Sequence, residues 1–226
     1  QCQQWGFQRL VPCLDDMTAK CTYTTAIIAD DGYTNILSNG DPGGPRYSLG
    51  PGRSVQEYRN TTTPMAPYLF FLGVGCYDTC RREFEYPDGR TFTLELLVKP
   101  GSDPTAAERA LEILADAVMW VHLFTGPEQY RNRETRQEIW RLTRVRDAAK
   151  RTGDQKTLAG TREALTGLVA TVTPGYAYTG SVYREIAMQN SDFGGMENVG
   201  NTTIAANRIM PYPEATDPAF EYMVRV

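Results

Sequence analysis

The chain has 226 residues, of which 41% are hydrophobic and 22% are charged, and its formal net charge is −4. The hydrophobic fraction allows a packed core, whereas the acidic balance, with both signs mixed along the chain, argues against a nucleic-acid-binding protein. No apolar run approaches the roughly 20 residues that span a bilayer, so we expect no membrane partner.

Cysteine and histidine usage limits the metal sites that the chain can build. Five cysteines cannot all pair with one another, and Cys76 and Cys80 lack further ligands because His122 is the only histidine. Free thiols and the lack of a leader sequence favour a cytoplasmic location. The sequence opens on Gln1 rather than on methionine, which we interpret as a stretch of a longer polypeptide.

The first hundred residues are predicted to form strands and turns. The apolar run at residues 68–74 predicts a strand covered on both faces. Gly89 follows Pro87 and Asp88 and supplies the positive φ that a hairpin turn requires. Strand patterns lie at residues 21–27, 36–37, 68–74, 84–86 and 92–98.

The pattern becomes helical after Gly101, where we place a domain boundary. Asp103 and Pro104 are typical of a helix start, and apolar residues then recur at helical spacing towards residue 125. Residues 128–175 predict a helical hairpin that is rich in arginine. A solvated helix face is the favoured interpretation of these charges, and a patch for an anionic partner is the alternative. A strand is expected at residues 179–186.

The segment with the clearest chemistry is Gly194-Gly195-Met196-Glu197-Asn198. Adjacent glycines let another backbone approach closely, and exposed peptide groups there can pair with an extended peptide as an added strand. A carboxylate at this edge would select a terminal ammonium, with an attraction of about 4 kcal/mol at 4 Å and an effective dielectric near 20, before desolvation. The alternative is a Gly-Gly turn with a surface glutamate.

This segment resembles the Gly-x-Met-Glu-Asn exopeptidase motif of the aminopeptidase N family of zinc metallopeptidases, with Gly195 where alanine is usual. The resemblance implies that Glu197 is a catalytic-site residue that binds the free α-amino group of the substrate. It further implies that Gly194, Gly195 and Met196 supply backbone contacts. Asn198 would have a structural or minor binding role.

Other regions resemble the same family in the same order. Gln1-Cys2-Gln3 resembles the segment that reaches the active site, which makes Gln3 a second contact for the substrate amine. The resemblance covers most of residues 1–127 and 176–226, and residues 128–175 look like an insertion. Further matches lie at residues 14–16, 21–24, 36–40, 67–70 and 94–96.

The zinc motif of the family, His-Glu-x-x-His, is absent from the sequence. Residues 217–226 resemble the helical lead-in to that motif, so we expect an internal fragment that ends just before it. The resemblance therefore implies zinc in the full-length parent, with ligands outside this chain, and no metal ligand within it. The chain alone would be inactive.

The implied fold is α+β. Residues 1–101 would be the C-terminal part of an antiparallel β-domain, and residues 102–226 the N-terminal lobe of a thermolysin-like catalytic domain with the hairpin inserted. The implied function is hydrolysis of the N-terminal residue from peptides, with peptides and the remainder of the parent polypeptide as partners. A catalytically inactive scaffold or interaction module of the same superfamily is the alternative.

Overall fold

The computed structural model describes residues 5–190 and 194–210. Strands precede and follow a helical middle section. The strands are β1 (Cys21–Asp30), β2 (Asn35–Ser38), β3 (Asp41–Pro42), β4 (Tyr47–Gly50), β5 (Arg53–Met65), β6 (Leu72–Gly75), β7 (Asp78–Glu85), β8 (Thr91–Val98), β9 (Val182–Met188), β10 (Gly195–Met196) and β11 (Asn201–Ala205). The helices are α1 (Pro104–Phe124), α2 (Arg133–Thr152), α3 (Gln155–Val169) and α4 (Ala206–Ile209), and short 3-10 turns lie at Phe7–Arg9 and Pro67–Leu69.

The described strands form three sheets. β5 pairs with β1, β3 and β4 in an antiparallel sheet, and β2 pairs with β6 in a small antiparallel one. The third sheet has the order β10-β11-β9-β8-β7, with parallel pairing of β8, β9 and β11 and antiparallel pairing at both ends. The fold is therefore a mixed α/β fold with two antiparallel sheets and one sheet of mixed parallel and antiparallel pairing.

The five-stranded sheet lies between two layers, because its inner strand β8 is buried on both faces. Leu94 and Leu96 belong to the main core cluster with α1 and the α2–α3 hairpin. Leu97, on the opposite face, packs with Leu37 of β2 and Tyr58 of β5. The sheet around β5 and the β2–β6 sheet thus pack on one face of the five-stranded sheet, and helices pack on the other.

The predicted helix after Asp103 and the predicted helical hairpin are confirmed. Asp103 caps α1 by accepting a hydrogen bond from the Thr105 amide at 2.9 Å, with Pro104 in the first turn. Helices α2 and α3 form the predicted hairpin, and α2 ends on Gly153, whose φ of 72° suits a left-handed C-cap. The β7–β8 hairpin also forms, with Gly89 at φ +87°. Across residues 5–190 and 194–210, the helices lack the combination of length and apolar character that a membrane span requires.

The predicted strand at residues 68–74 is wrong at residues 68–71 and in its expected burial on both faces. Its first part is the 3-10 turn Pro67–Leu69, and β6 begins only at Leu72 and alternates in exposure. The reason is that side chains from elsewhere bond this backbone. Leu69 and Phe70 use their carbonyls, and Phe71 its amide and its carbonyl, to bond side chains instead of a neighbouring strand. An apolar run cannot reveal such partners.

The interpretation of the basic hairpin as a solvated face is wrong at two positions. Arg136 and Arg146 on α2 are both 0% exposed. Arg136 donates to the carbonyls of Leu123 and Thr173. Leu123 lies at the end of α1, and Thr173 lies shortly after α3. These two arginines therefore stabilise the docking of α2, a role that charge counting does not distinguish from solvation.

The division into domains remains a prediction. Strands β7 and β8 precede the proposed boundary near residue 101, and β9 follows it, yet β8 pairs with β9 in one sheet. The five-stranded sheet thus draws on both sides of that position.

Glu185 of β9 gives the fold a specific pH dependence. Burial raises the pKa of Glu185 to about 7, whereas an unfolded glutamate titrates near 4.3. Between roughly pH 4.3 and 7 the folded chain therefore binds more protons than the unfolded chain, so this group's contribution to stability falls as pH rises. We expect Glu185→Gln to raise the free energy of unfolding by about 3 kcal/mol at pH 8 and to change it little at pH 4.

Urea denaturation of both chains at pH 4 and pH 8 measures this difference. An equal gap between wild type and Glu185→Gln at the two pH values would contradict it.

Candidate functional site at the β10 edge

Strand β10 forms one edge of the five-stranded sheet. Gly195 and Met196 pair with Ile204 and Thr203 of β11, and the carbonyl of Gly194 accepts from the Ala205 amide at 3.0 Å. Among the described residues no strand pairs with the other side of β10. The backbone groups of Gly195 that face away from β11 can therefore pair with an extended ligand.

The two glycines of this edge differ in their surroundings. A Cβ added at Gly194 would meet no atom within 4 Å, whereas one at Gly195 would lie 3.0 Å from Cδ1 of Ile204. At Gly195 an added Cβ would press on the flexible end of the Ile204 side chain, whereas Gly194 leaves open space where a ligand can approach. Met196 is buried at 6% exposure and anchors the strand in the protein.

Glu197 follows directly after β10 and is exposed. Its Oε1 accepts a hydrogen bond from Tyr68 Oη at 3.3 Å. Burial, the charge of Glu197 and this hydrogen bond together raise the pKa of Tyr68, so the phenol keeps its proton near neutral pH. The Glu197 carboxylate therefore accepts its hydrogen bond from a neutral donor.

Two buried asparagines hold the loop that carries Glu197. Asn198 Nδ2 donates to the carbonyls of Leu69 (3.2 Å) and Phe70 (3.1 Å). Asn39 Nδ2 donates to Leu69 (3.1 Å) and to the Val199 carbonyl (2.8 Å). The turn after β2, the 3-10 turn and the loop after β10 are thus tied together by side-chain to backbone hydrogen bonds.

The turn that presents Asn39 depends on Gly40. Gly40 has φ +89°, and a Cβ there would lie 2.3 Å from the Arg59 carbonyl oxygen, so only glycine fits. Next to it, Asn201 donates to the Ser38 carbonyl at 2.8 Å and fixes the other end of the loop. The geometry of the turn therefore decides where the loop after β10 lies.

A buried ion pair lies under this loop. Arg184 of β9 donates to Glu95 of β8 at 2.9 Å, and its guanidinium stacks over the ring of Tyr58 at 5.4 Å. Arg184 also contacts Asn201 at 3.5 Å. Through its contact with Asn201, Arg184 holds the start of β11, the strand that pairs with β10.

The structure brings together Gly194, Gly195, Met196, Glu197 and Asn198 at one edge. Gln3, the second predicted amine contact, lies outside the described residues, as does the predicted lead-in at residues 217–226. In the two described ranges, no group of three or more His, Cys, Asp or Glu residues could hold a metal ion. His122 is packed against the Tyr86 ring at 4.5 Å, as a core histidine would be.

Sequence reasoning gave no role to Tyr68 or Asn39. Both lie in stretches that resemble the family, at residues 67–70 and 36–40, but their partners are 129 and 160 positions away. The available signal was the polar pair Ser38-Asn39, which directly follows two apolar residues in the sequence. In the structure both polar side chains are buried.

Comparison with known proteins identifies relatives of this chain. No protein-family model matches it. Aminopeptidase N of Caulobacter vibrioides is 31% identical over 147 residues, which are 65% of this chain and 16% of that protein. The aminopeptidases N of Haemophilus influenzae and Escherichia coli are 35% and 33% identical over 124 residues, which are 53% of this chain and 14% of each protein. The predicted resemblance to the aminopeptidase N family is confirmed.

A solved structure has a similar fold. The crystal structure of Legionella pneumophila aminopeptidase A in complex with aspartic acid matches 99% of this chain with a TM-score of 0.67 at 18% identity. The match covers 20% of that chain. Among the curated relatives, the aligned part of this chain likewise spans only 14–16% of their length.

Proposed function

This chain is a relative of the aminopeptidase N proteins, and on that premise we propose that it is the substrate-binding segment of a zinc-dependent aminopeptidase. The proposed parent protein hydrolyses the N-terminal residue from peptides. Within this chain Glu197 binds the substrate α-amine, and Gly194, Gly195 and Met196 pair with the substrate backbone. Gln3 is proposed as a second amine contact.

One observation carries this proposal: the exposed carboxylate of Glu197 directly follows β10, the strand at the edge of the five-stranded sheet. An extended peptide that adds to the outer side of β10 forms main-chain hydrogen bonds there. Its first residue would then lie near Glu197, where the ammonium group meets a charge that no described cation neutralises. A peptide with a blocked amine has the backbone contacts but lacks the ionic one.

Zinc would be held outside the described residues, which do not form a ligand set. When bound, zinc activates the water that attacks the peptide bond. The residues of this chain would bind and orient the peptide, and the parent protein would supply the metal. We also propose that residues 102–226 begin a thermolysin-like domain and that residues 1–101 complete a β-domain, in a cytoplasmic protein.

The parent protein is expected to cleave an unblocked peptide and to leave its N-acetylated form intact. The reason is that acetylation removes the charge that Glu197 would bind. Release of the first residue is measured by chromatography with both peptides, before and after removal of metal with a chelator and after addition of zinc. Cleavage of both forms at equal rates would contradict the amine-binding role. If neither peptide is cleaved, with or without added zinc, the result would favour the inactive scaffold.

A further inference from the structure

Glu197 receives its hydrogen bond from a residue that is held in place by the same loop. Tyr68 lies in the 3-10 turn Pro67–Leu69, and Pro67 fixes φ at the start of that turn. Asn198, the neighbour of Glu197, donates to the carbonyls directly after Tyr68. The phenol and the carboxylate are therefore positioned by one network, although they are 129 positions apart in sequence.

The hydrogen bond from Tyr68 is the one polar contact that Glu197 makes with the described part of the chain. A glutamate side chain that is otherwise exposed samples several rotamers and loses that freedom when it binds a ligand. A fixed donor at Oε1 reduces this freedom before the ligand arrives and leaves Oε2 open. Pre-organisation of this kind strengthens binding because less entropy is lost on association.

A tyrosine suits this task better than a lysine or an arginine would. Its hydroxyl donates one hydrogen bond without a positive charge. A cation at the same distance would compete with the substrate ammonium for Glu197. The neutral phenol therefore orients the carboxylate and leaves its attraction for a cation in place.

We propose that Tyr68 is a positioning residue that orients the Glu197 carboxylate for the α-ammonium group of a peptide. This inference rests on the proposed function, because it needs Glu197 to bind that group. Tyr68 itself does not contact the substrate. Its effect should therefore be seen in substrate affinity and should depend on the presence of Glu197.

The test uses Tyr68→Phe in the parent protein with an unblocked peptide substrate. We expect KM to rise about 3- to 10-fold, the range for loss of one hydrogen bond of ordinary net strength, with kcat changed less than about twofold. Tyr47→Phe is the matched control, since Tyr47 donates to Glu57 at 3.4 Å on an exposed part of β4 and β5. The control is expected to leave KM unchanged.

A second arm repeats Tyr68→Phe in a Glu197→Gln background, where we expect no further rise in KM. An unchanged KM for Tyr68→Phe, together with a clear loss for Glu197→Gln, would overturn the positioning role and leave the proposed function standing. The same rise in both backgrounds would assign Tyr68 a purely structural role and would also overturn it. If Glu197→Gln has no effect by itself, the proposed function fails first.

Discussion

Glu197→Gln is expected to lower kcat/KM for unblocked peptides by roughly 10- to 100-fold, because a hydrogen bond to a charged group is worth about 1.5–3 kcal/mol. Glutamine keeps the size and the acceptor oxygen of the side chain but removes its charge. The bare Coulomb attraction at 4 Å is about 4 kcal/mol at an effective dielectric near 20, and desolvation of the exposed carboxylate reduces the net value. Steady-state kinetics of the parent protein with unblocked peptides measures the loss.

The matched control for this variant is Glu57→Gln. Glu57 also accepts a hydrogen bond from a tyrosine, Tyr47, but it lies on β5 away from the β10 edge. We expect that variant to retain the wild-type kcat/KM. Metal content should be unchanged in both variants, because neither residue belongs to a described ligand set. A Glu197→Gln protein that loses its metal, or that keeps full activity, would contradict the anchor role.

The parts of the fold that sequence predicted are those determined by neighbouring residues. The start of α1 at Asp103 and Pro104 is encoded within three positions, and the β7–β8 turn is encoded by Gly89 and the residues before it. The motif at Gly194–Asn198 was expected at a strand edge and lies at one. Local rules suffice wherever capping, turn geometry or alternation decides the structure.

The contacts that sequence did not predict are long-range and polar. The hydrogen bond from Asn39 to Val199 joins residues 160 positions apart, and no periodicity records which carbonyl an asparagine will reach. For the same reason the apolar run at residues 68–74 suggested a strand. In the structure, the side chains of Asn39 and Asn198 form hydrogen bonds with backbone groups of residues 69–71. Likewise Arg146 is buried and Arg141 is exposed on the same helix. Both are arginines, so residue type alone does not predict which of them is buried.

The largest effect on stability is expected from Arg146→Met. The Arg146 side chain is buried, and its guanidinium donates to the carbonyls of Tyr86 (2.9 Å) and Glu85 (2.6 Å) and to Asp147 (2.9 Å). Methionine can fill the space of the aliphatic part but donates no hydrogen bond. Two carbonyls at the end of β7 would then be left buried without these donors, which costs free energy because water cannot replace the lost partner.

The carboxylate of Glu85 makes the loss larger. Burial alone would raise the pKa of Glu85, but hydrogen bonds from Lys150 and Arg162 and the charge of Arg146 lower it. Removal of one cation leaves a buried negative charge less compensated, although Lys150 at 2.7 Å and Arg162 at 3.1 Å remain. Breaking a buried ion pair in this way typically costs about 3–5 kcal/mol, and we expect a decrease of that size in the free energy of unfolding.

Arg141→Met is the matched control for this experiment, because Arg141 lies on the same helix and pairs with Glu138 on the surface. Loss of an exposed helical pair is expected to cost less than about 0.5 kcal/mol. Urea denaturation of the 226-residue chain measures both variants under the same conditions. A difference below about 1 kcal/mol between them would show that Arg146 does not anchor the hairpin.

The same anchor connects the helical hairpin to the sheet that carries the candidate site. Ile139 of α2 and Leu165 of α3 are 0% and 1% exposed and pack in the core cluster that contains Leu94 of β8. Strand β8 in turn pairs with β9, and the sheet continues through β11 to β10. Arg146→Met should therefore increase amide hydrogen exchange first in α2 and in the end of β7, whereas exchange in β10 and β11 should rise only when the sheet opens as a whole.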